Sequence, residues 1–197
     1  MTQHSQIKSD PMAIMRLLKD ENGNMPKGLP PVHKWNPDFC GDIPMQIKAN
    51  GQWMYMGTPI GRPALVKLFS SILRHDDDDC FYLITPVEKV RIVVDDAPFI
   101  ATLVSKVVDD GVEFLRFTTL TEDVVIVDDK HPLWVNYDEQ GEPRPYIRVR
   151  DNLDALLHRN VFYQLVEWAE IREIEGESCY AVQSAGQWFK IASCSEL

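Results

Sequence analysis

The amino-acid sequence predicts an α+β protein in which a strand–strand–helix–strand–strand unit occurs twice. Three observations carry that expectation. Two short alternating runs flank Asn50-Gly51, and a helix-spaced apolar run follows behind Pro63. The same order returns at 133–137 and 146–150, with Leu153, Leu156 and Leu157 behind them. A constant offset also aligns Phe81-Tyr82 with Phe162-Tyr163, Val90 with Ile171, Arg91 with Arg172 and Phe99 with Tyr180.

Asp10-Pro11 reads as a helix start, because proline is tolerated at the first helical position. Ile14, Leu17 and Leu18 give that helix one apolar face, and Asn22-Gly23 ends it. Five prolines between Asn24 and Pro44 then predict an extended, wrapping connection. Residues 46–49 and 52–56 form a hairpin around Asn50-Gly51, the pair that best tolerates positive φ at both turn positions. Behind Pro63, the residues Leu65, Leu68, Phe69, Ile72 and Leu73 recur as a buried helix face does. The acidic run 76–79 closes that helix as a solvated loop.

Strands are expected at 81–85 and 90–94, with Asp95-Asp96 as a turn and 99–104 extending the same sheet. Two more are expected at 112–120 and 124–127, punctuated by Asp110-Gly111 and Glu122-Asp123. The second copy opens with 133–137 and 146–150 around a loop holding Gly141 and Pro143. A helix is expected from about Asn152. Strand candidates follow at 162–166, 170–175, 180–184 and, after Ala185-Gly186, 187–191. The domain plan is a wrapping segment over 1–44, a first domain over 45–104 and a second, β-rich domain with one helix over 105–197.

Twenty Lys and Arg against thirty Asp and Glu leave a net charge of −10. Such a surface repels phosphate polymers and anionic lipid, so neither polymeric nucleic acid nor a membrane is an expected partner. No apolar run reaches the 18 or so residues that span a bilayer. The first twenty residues lack the layout of a secretory leader, so the expected location is the cytoplasm. Cys40, Cys80, Cys179 and Cys194 lie far apart with no C-x-x-C, which reads as reduced thiols, a regulatory disulfide being the alternative.

The search for catalytic chemistry comes back empty. There is no G-x-S-x-G elbow, Walker loop or G-x-G-x-x-G, and no histidine stands at ligand spacing from another histidine or a cysteine. The pairs Asp95-Asp96, Asp109-Asp110 and Asp128-Asp129 sit between strands, where aspartate favours turns. No cofactor and no metal are expected, and the chain is read as a non-enzyme.

Two features stand out from that background. In Tyr146-Ile147-Arg148-Val149-Arg150, strand alternation puts Tyr146, Arg148 and Arg150 on one face. A ring beside two guanidinium groups can stack a base and hold a phosphate; the competing reading is that the arginines pair with nearby carboxylates. Gly61-Arg62-Pro63 opens the first long helix, where free N–H groups favour an anion; ordinary helix-start geometry is the competing reading.

Phe39-Cys40-Gly41-Asp42-Ile43, Gly51-Gln52-Trp53, Pro59-Ile60-Gly61-Arg62-Pro63, Thr85-Pro86-Val87-Glu88-Lys89 and Asp96-Ala97-Pro98-Phe99 together resemble an uncharacterised bacterial family, the domain of unknown function DUF1285. His131-Pro132-Leu133 and Pro145-Tyr146-Ile147-Arg148-Val149-Arg150 fit the same resemblance, which covers about residues 10 to 195. It implies a duplicated core, a second domain superficially like pleckstrin-homology folds, and a nucleotide-like ligand in the cleft between domains, with a role in signal transduction or stress response. It carries over no catalytic residue. The expectation is therefore a non-catalytic ligand sensor using Arg62, Lys89, Tyr146, Arg148 and Arg150. The alternatives are a protein–protein adaptor presenting sheet edges and Trp35, Trp53, Trp134, Trp168 and Trp188, or an enzyme of unfamiliar type.

Overall fold

The computed structural model describes residues 11–18 and 28–194. Strand dominates and helices are few. Helix α1 (Pro11–Leu17) starts at the expected proline and buries Ile14, with Leu18 buried just behind it, while Leu17 faces outward. The expected stop at Asn22-Gly23 lies outside the described residues. The chain divides into two compact units, Met1–Asp96 and Ala97–Leu197.

The first unit carries one six-stranded sheet. Its strands are β1 (Phe39–Ile47), β2 (Trp53–Tyr55), β3 (Thr58–Pro59), β4 (Leu73–His75), β5 (Phe81–Ile84) and β6 (Lys89–Val94), in the order β3-β2-β1-β6-β5-β4. Two three-strand meanders are thus joined through a parallel pair, β1 with β6. Helix α2 (Pro63–Ser71) connects the meanders and starts on Pro63, as expected. Phe69 of α2 stacks on Trp53 of β2, and both are buried with Ile47, Ile72 and Leu83.

Several expectations change here. The wrapping segment ends at Asp38, because residues 39–44 belong to β1. Pro44 survives inside a strand because the pairing is irregular there: β1 advances from Asp42 to Gln46 while β6 advances only from Arg91 to Val93. At the hairpin, Gly51 alone takes positive φ (82°), and its N–H donates to the Lys48 carbonyl. That is a three-residue loop with glycine in the left-handed position rather than the two-residue turn expected. Helix α2 stops at Ser71, so Leu73 is a strand residue and the acidic run follows β4.

The second unit repeats the sheet plan. Strands β7 (Phe99–Asp109), β8 (Val112–Thr119) and β9 (Val124–Ile126) form one meander; β10 (Leu133–Tyr137), β11 (Pro143–Arg150) and β12 (Leu153–Leu157) form the other. Their order is β10-β11-β12-β7-β8-β9, again with the first and last strands paired in parallel. Asp110-Gly111 is a true two-residue turn, both residues having positive φ (46° and 78°). Helix α3 (Arg159–Trp168) and a three-stranded sheet of β13 (Glu170–Ile174), β14 (Glu177–Ser184) and β15 (Gln187–Ser193) complete the unit. Ser184 locks the small sheet to the large one. Its buried hydroxyl donates to the Val127 carbonyl at 2.7 Å and accepts the Leu115 N–H at 2.9 Å.

The duplication therefore stands, but its unit is a six-stranded sheet and not strand–strand–helix–strand–strand. The helix expected from Asn152 is strand β12, in which Leu153, Ala155 and Leu157 are buried in alternation. The expected strand at 162–166 lies within α3, which buries Val161, Phe162 and Leu165. The pairing of Phe81-Tyr82 with Phe162-Tyr163 sets a strand against a helix and falls away. Residues 97–104, assigned to the first domain, belong to the second unit, where β7 pairs with β12 and β8. All four cysteines are free, and Cys179 is buried. No described helix is long and apolar enough to cross a membrane.

The strand assignment of β12 has a mutational signature. Leu153→Ala and Leu157→Ala should each cost about 2–5 kcal/mol in urea unfolding, as large-to-small changes in a packed core do. Leu156→Ala, on the half-exposed face, should cost well under half of that. Equal losses at 156 and 157 would contradict the strand.

Candidate functional site

Strand β11 alternates as expected: Ile147 and Val149 are buried, and Tyr146, Arg148 and Arg150 share the other, partly exposed face. Cross-strand pairing then adds neighbours. Trp134 of β10 stands opposite Tyr146, and the two rings stack at 5.8 Å with planes 21° apart. On the other side Arg148 stands opposite Asp154 of β12, pairs with its carboxylate, and donates to the Asp151 carbonyl at 3.0 Å. The Arg148 guanidinium also lies over the Trp134 ring at 5.8 Å. Arg150 is held more tightly, donating to Asp123 at 2.6 Å and lying 4.9 Å over the Phe99 ring, with its side chain 16% exposed.

The two remaining candidates lie in the first unit. Lys89 of β6 donates to Asp76 at 2.6 Å and sits 4.0 Å over the Tyr82 ring. Asp76 also receives Arg74, which donates in turn to the carbonyls of Val32 and Trp35. Lys89 is thus part of a clamp that ties the β4–β5 hairpin to the segment before β1. Arg62 is exposed at the N-cap of α2 and makes no side-chain capping bond. Arg62 and Lys89 share no partner among the described residues. Arg62 and the Arg148–Arg150 strand also lose their expected equivalence. β11 runs into β12, and the second unit's helix begins at His158, whose Nδ1 accepts the Asn160 N–H at 3.4 Å.

A groove of about 380 Å³ opens in the second unit between β10 and β15. Trp134, Val135 and Tyr137 line it from β10, and Trp188, Lys190 and Ala192 from β15. Each strand is the last of its own sheet, and among the described residues no backbone hydrogen bond joins them. Both tryptophans carry a guanidinium: Arg148 over Trp134, and Arg172 over Trp188 at 4.3 Å. Sequence reasoning singled out Tyr146 and Arg148 but not this groove, because β10 and β15 are about fifty residues apart in the chain and nothing local marks their approach. The groove volume falls within the range of small-molecule sites. Among the described residues, no group of three or more His, Cys, Asp and Glu is placed to hold a metal ion.

Two family models match the chain. One, described as the N-terminal domain of the domain of unknown function DUF1285, covers residues 30–97, and its C-terminal counterpart covers residues 98–191. The two matches meet beside the division between the compact units at Asp96 and Ala97. A crystal structure of a DUF1285 family protein from Silicibacter pomeroyi DSS-3 is 42% identical, with a TM-score of 0.83 over 95% of this chain and 97% of that one. Another, from Shewanella baltica OS155, is 29% identical, with a TM-score of 0.50 over 64% of this chain and 91% of that one. No curated protein matches.

The Asp76 clamp makes a pH prediction. Burial pushes this carboxyl up, but hydrogen bonds from Arg74 and Lys89 outweigh burial and hold it below its ordinary value of 3.8. A depressed folded-state pKa stabilises the fold above the unfolded value, and that contribution is lost as pH falls through the folded one. Asp76→Asn should therefore lower stability at pH 7 by about 1–3 kcal/mol, the range for hydrogen bonds to charged groups. Below about pH 4 the variant and the parent should converge in denaturant midpoint. A difference that stays constant from pH 7 to pH 3 would assign the loss to packing.

Proposed function

The chain belongs to the DUF1285 family, and from that premise we propose that it is a non-catalytic ligand sensor, binding a small, anionic, nucleotide-like molecule in bacterial signal transduction or stress response. The supporting observation is the Trp134–Tyr146 stack with Arg148 laid over the tryptophan. Aromatic rings offer a stacking platform for a base, and a guanidinium fork suits a phosphate. Arg148 keeps 32% of its side chain exposed, so a phosphate can compete with Asp154 for the fork. Arg150 and Lys89, each with its side chain no more than 20% exposed, serve their own clamps instead.

The likeness of the second unit to pleckstrin-homology folds belongs to this same reading. It brings no phosphoinositide site with it, because a chain of net charge −10 is repelled by anionic lipid. A protein-adaptor reading draws on a different observation, the unpaired edges of β10 and β15, along which a partner strand can pair.

A thermal-shift screen against nucleotides and nucleotide second messengers separates the two. Ligand at a hundredfold excess over Kd adds about 2.7 kcal/mol, which moves the midpoint of a chain of this size by roughly 5–10 °C. Arg148→Ala should remove most of that shift. No shift with any nucleotide, or a full shift in Arg148→Ala, would defeat the ligand reading.

A further inference from the structure

The lining of the β10–β15 groove includes consecutive residues, 133–135 from one strand and 188–193 from the other. Side chains on a strand alternate between its two faces, so consecutive residues border one space only when the strand turns its edge toward it. The groove is therefore walled by two strand edges as well as by side chains. Each edge carries backbone N–H and C=O groups in alternation, and no strand partner takes them. At the mouth stand Trp134 and Trp188, both half-buried.

Such a site makes two demands on an occupant. It must present a flat π-surface to the tryptophans, and it must present hydrogen-bond donors and acceptors side by side along one edge. An aliphatic acid meets neither demand, and inorganic phosphate lacks the flat surface. A heteroaromatic base meets both, since its edge alternates ring acceptors with exocyclic donors. The volume, about 380 Å³, lies at the small end of ligand sites, which suits one base with its sugar better than a dinucleotide.

We infer that the β10–β15 groove binds the base of a nucleoside-type ligand, with its ring against Trp134 or Trp188 and its edge hydrogen-bonded to the open strand edges. This rests on the nucleotide reading above and locates the half of the ligand that Arg148 does not touch. Trp134 joins the two halves: one side belongs to the groove, and the ring also carries Tyr146 and Arg148.

The test uses the full chain, with uncharged adenosine, guanosine, cytidine and uridine beside their 5′-monophosphates, followed by tryptophan fluorescence and calorimetry. At least one nucleoside should bind without its phosphate. Trp188→Ala, which removes a stacking surface, and Ala192→Trp, which fills the groove, should each weaken that nucleoside and its monophosphate at least tenfold. Tyr163→Ala, on the exposed face of α3, is the control and should change neither. In the unmutated chain, hydrogen exchange should slow at the amides of β10 and β15 when the nucleoside is added, a readout that does not depend on the variants folding. Monophosphate binding that ignores both groove variants, or exchange protection confined to other elements, overturns the inference while leaving the anion site intact. If neither nucleosides nor nucleotides bind, the inference falls together with the reading it rests on.

Discussion

Each unit of this protein depends on one pairing: its first and last sheet strands lie side by side in parallel. In the first unit that pair is β1 with β6, and in the second it is β7 with β12. A parallel pair cannot be closed by a tight turn, so everything between its two strands must leave the sheet centre and return. Both units do this with a three-strand meander on each side, which puts the shortest strands at the margins: β3 and β4 in one unit, β9 in the other. The buried side chains cluster on the same central strands, with Met45 and Ile47 on β1, Val90 and Ile92 on β6, and Phe99 and Ala101 on β7. Weakening the central pair would release both meanders at once, whereas a marginal strand can fray alone.

The two units differ in where they spend their helix, and that difference shapes the candidate site. In the first, α2 bridges the meanders and lays Phe69 against Trp53. In the second, the bridge between β9 and β10 contains no helix, and α3 comes only after the sixth strand. The chain beyond α3 then has length left for a three-stranded sheet, which Ser184 anchors by filling two buried backbone hydrogen-bonding positions near the β8–β9 end. An anchored small sheet has two margins, and one of them, β15, comes up against the margin of the large sheet, β10. The groove is thus a by-product of topology: two sheets in one unit, meeting at edges that do not pair.

How much of this was legible in the sequence follows from the range of the forces involved. Turn chemistry is local, so Asp110-Gly111, Ala185-Gly186 and Pro63 were readable where they stand. The Tyr146–Arg150 alternation was equally plain. Residues 152–157 were misread because Leu153, Leu156 and Leu157 match a helical spacing by accident, while the small side chain of Ala155 hides the alternation that the fold uses. Residues 162–166 were misread for the converse reason: apolar Phe162 and Val166 resemble a strand, although only Phe162 of the two is buried and the helix packs through Val161 and Leu165 as well. Segment 99–104 was correctly seen as a strand and given to the wrong sheet. Which strands pair across fifty residues is decided by packing that no local pattern records.

The same distinction bears on what a ligand would find. An acidic chain makes arginines look conspicuous, yet nearly every candidate cation here already has its carboxylate: Arg148 has Asp154, Arg150 has Asp123, and Lys89 has Asp76. An ion pair of this kind is a poor handle for an incoming anion, which must first displace a tethered partner that loses no translational freedom by staying. Open strand edges face no such competitor except water. Recognition in the second unit would then be led by stacking and by backbone hydrogen bonds, and charge would act second, through the half-exposed Arg148. A base-first order of this sort predicts modest salt dependence for a molecule whose composition suggests the opposite, because only one screened contact out of several would be ionic.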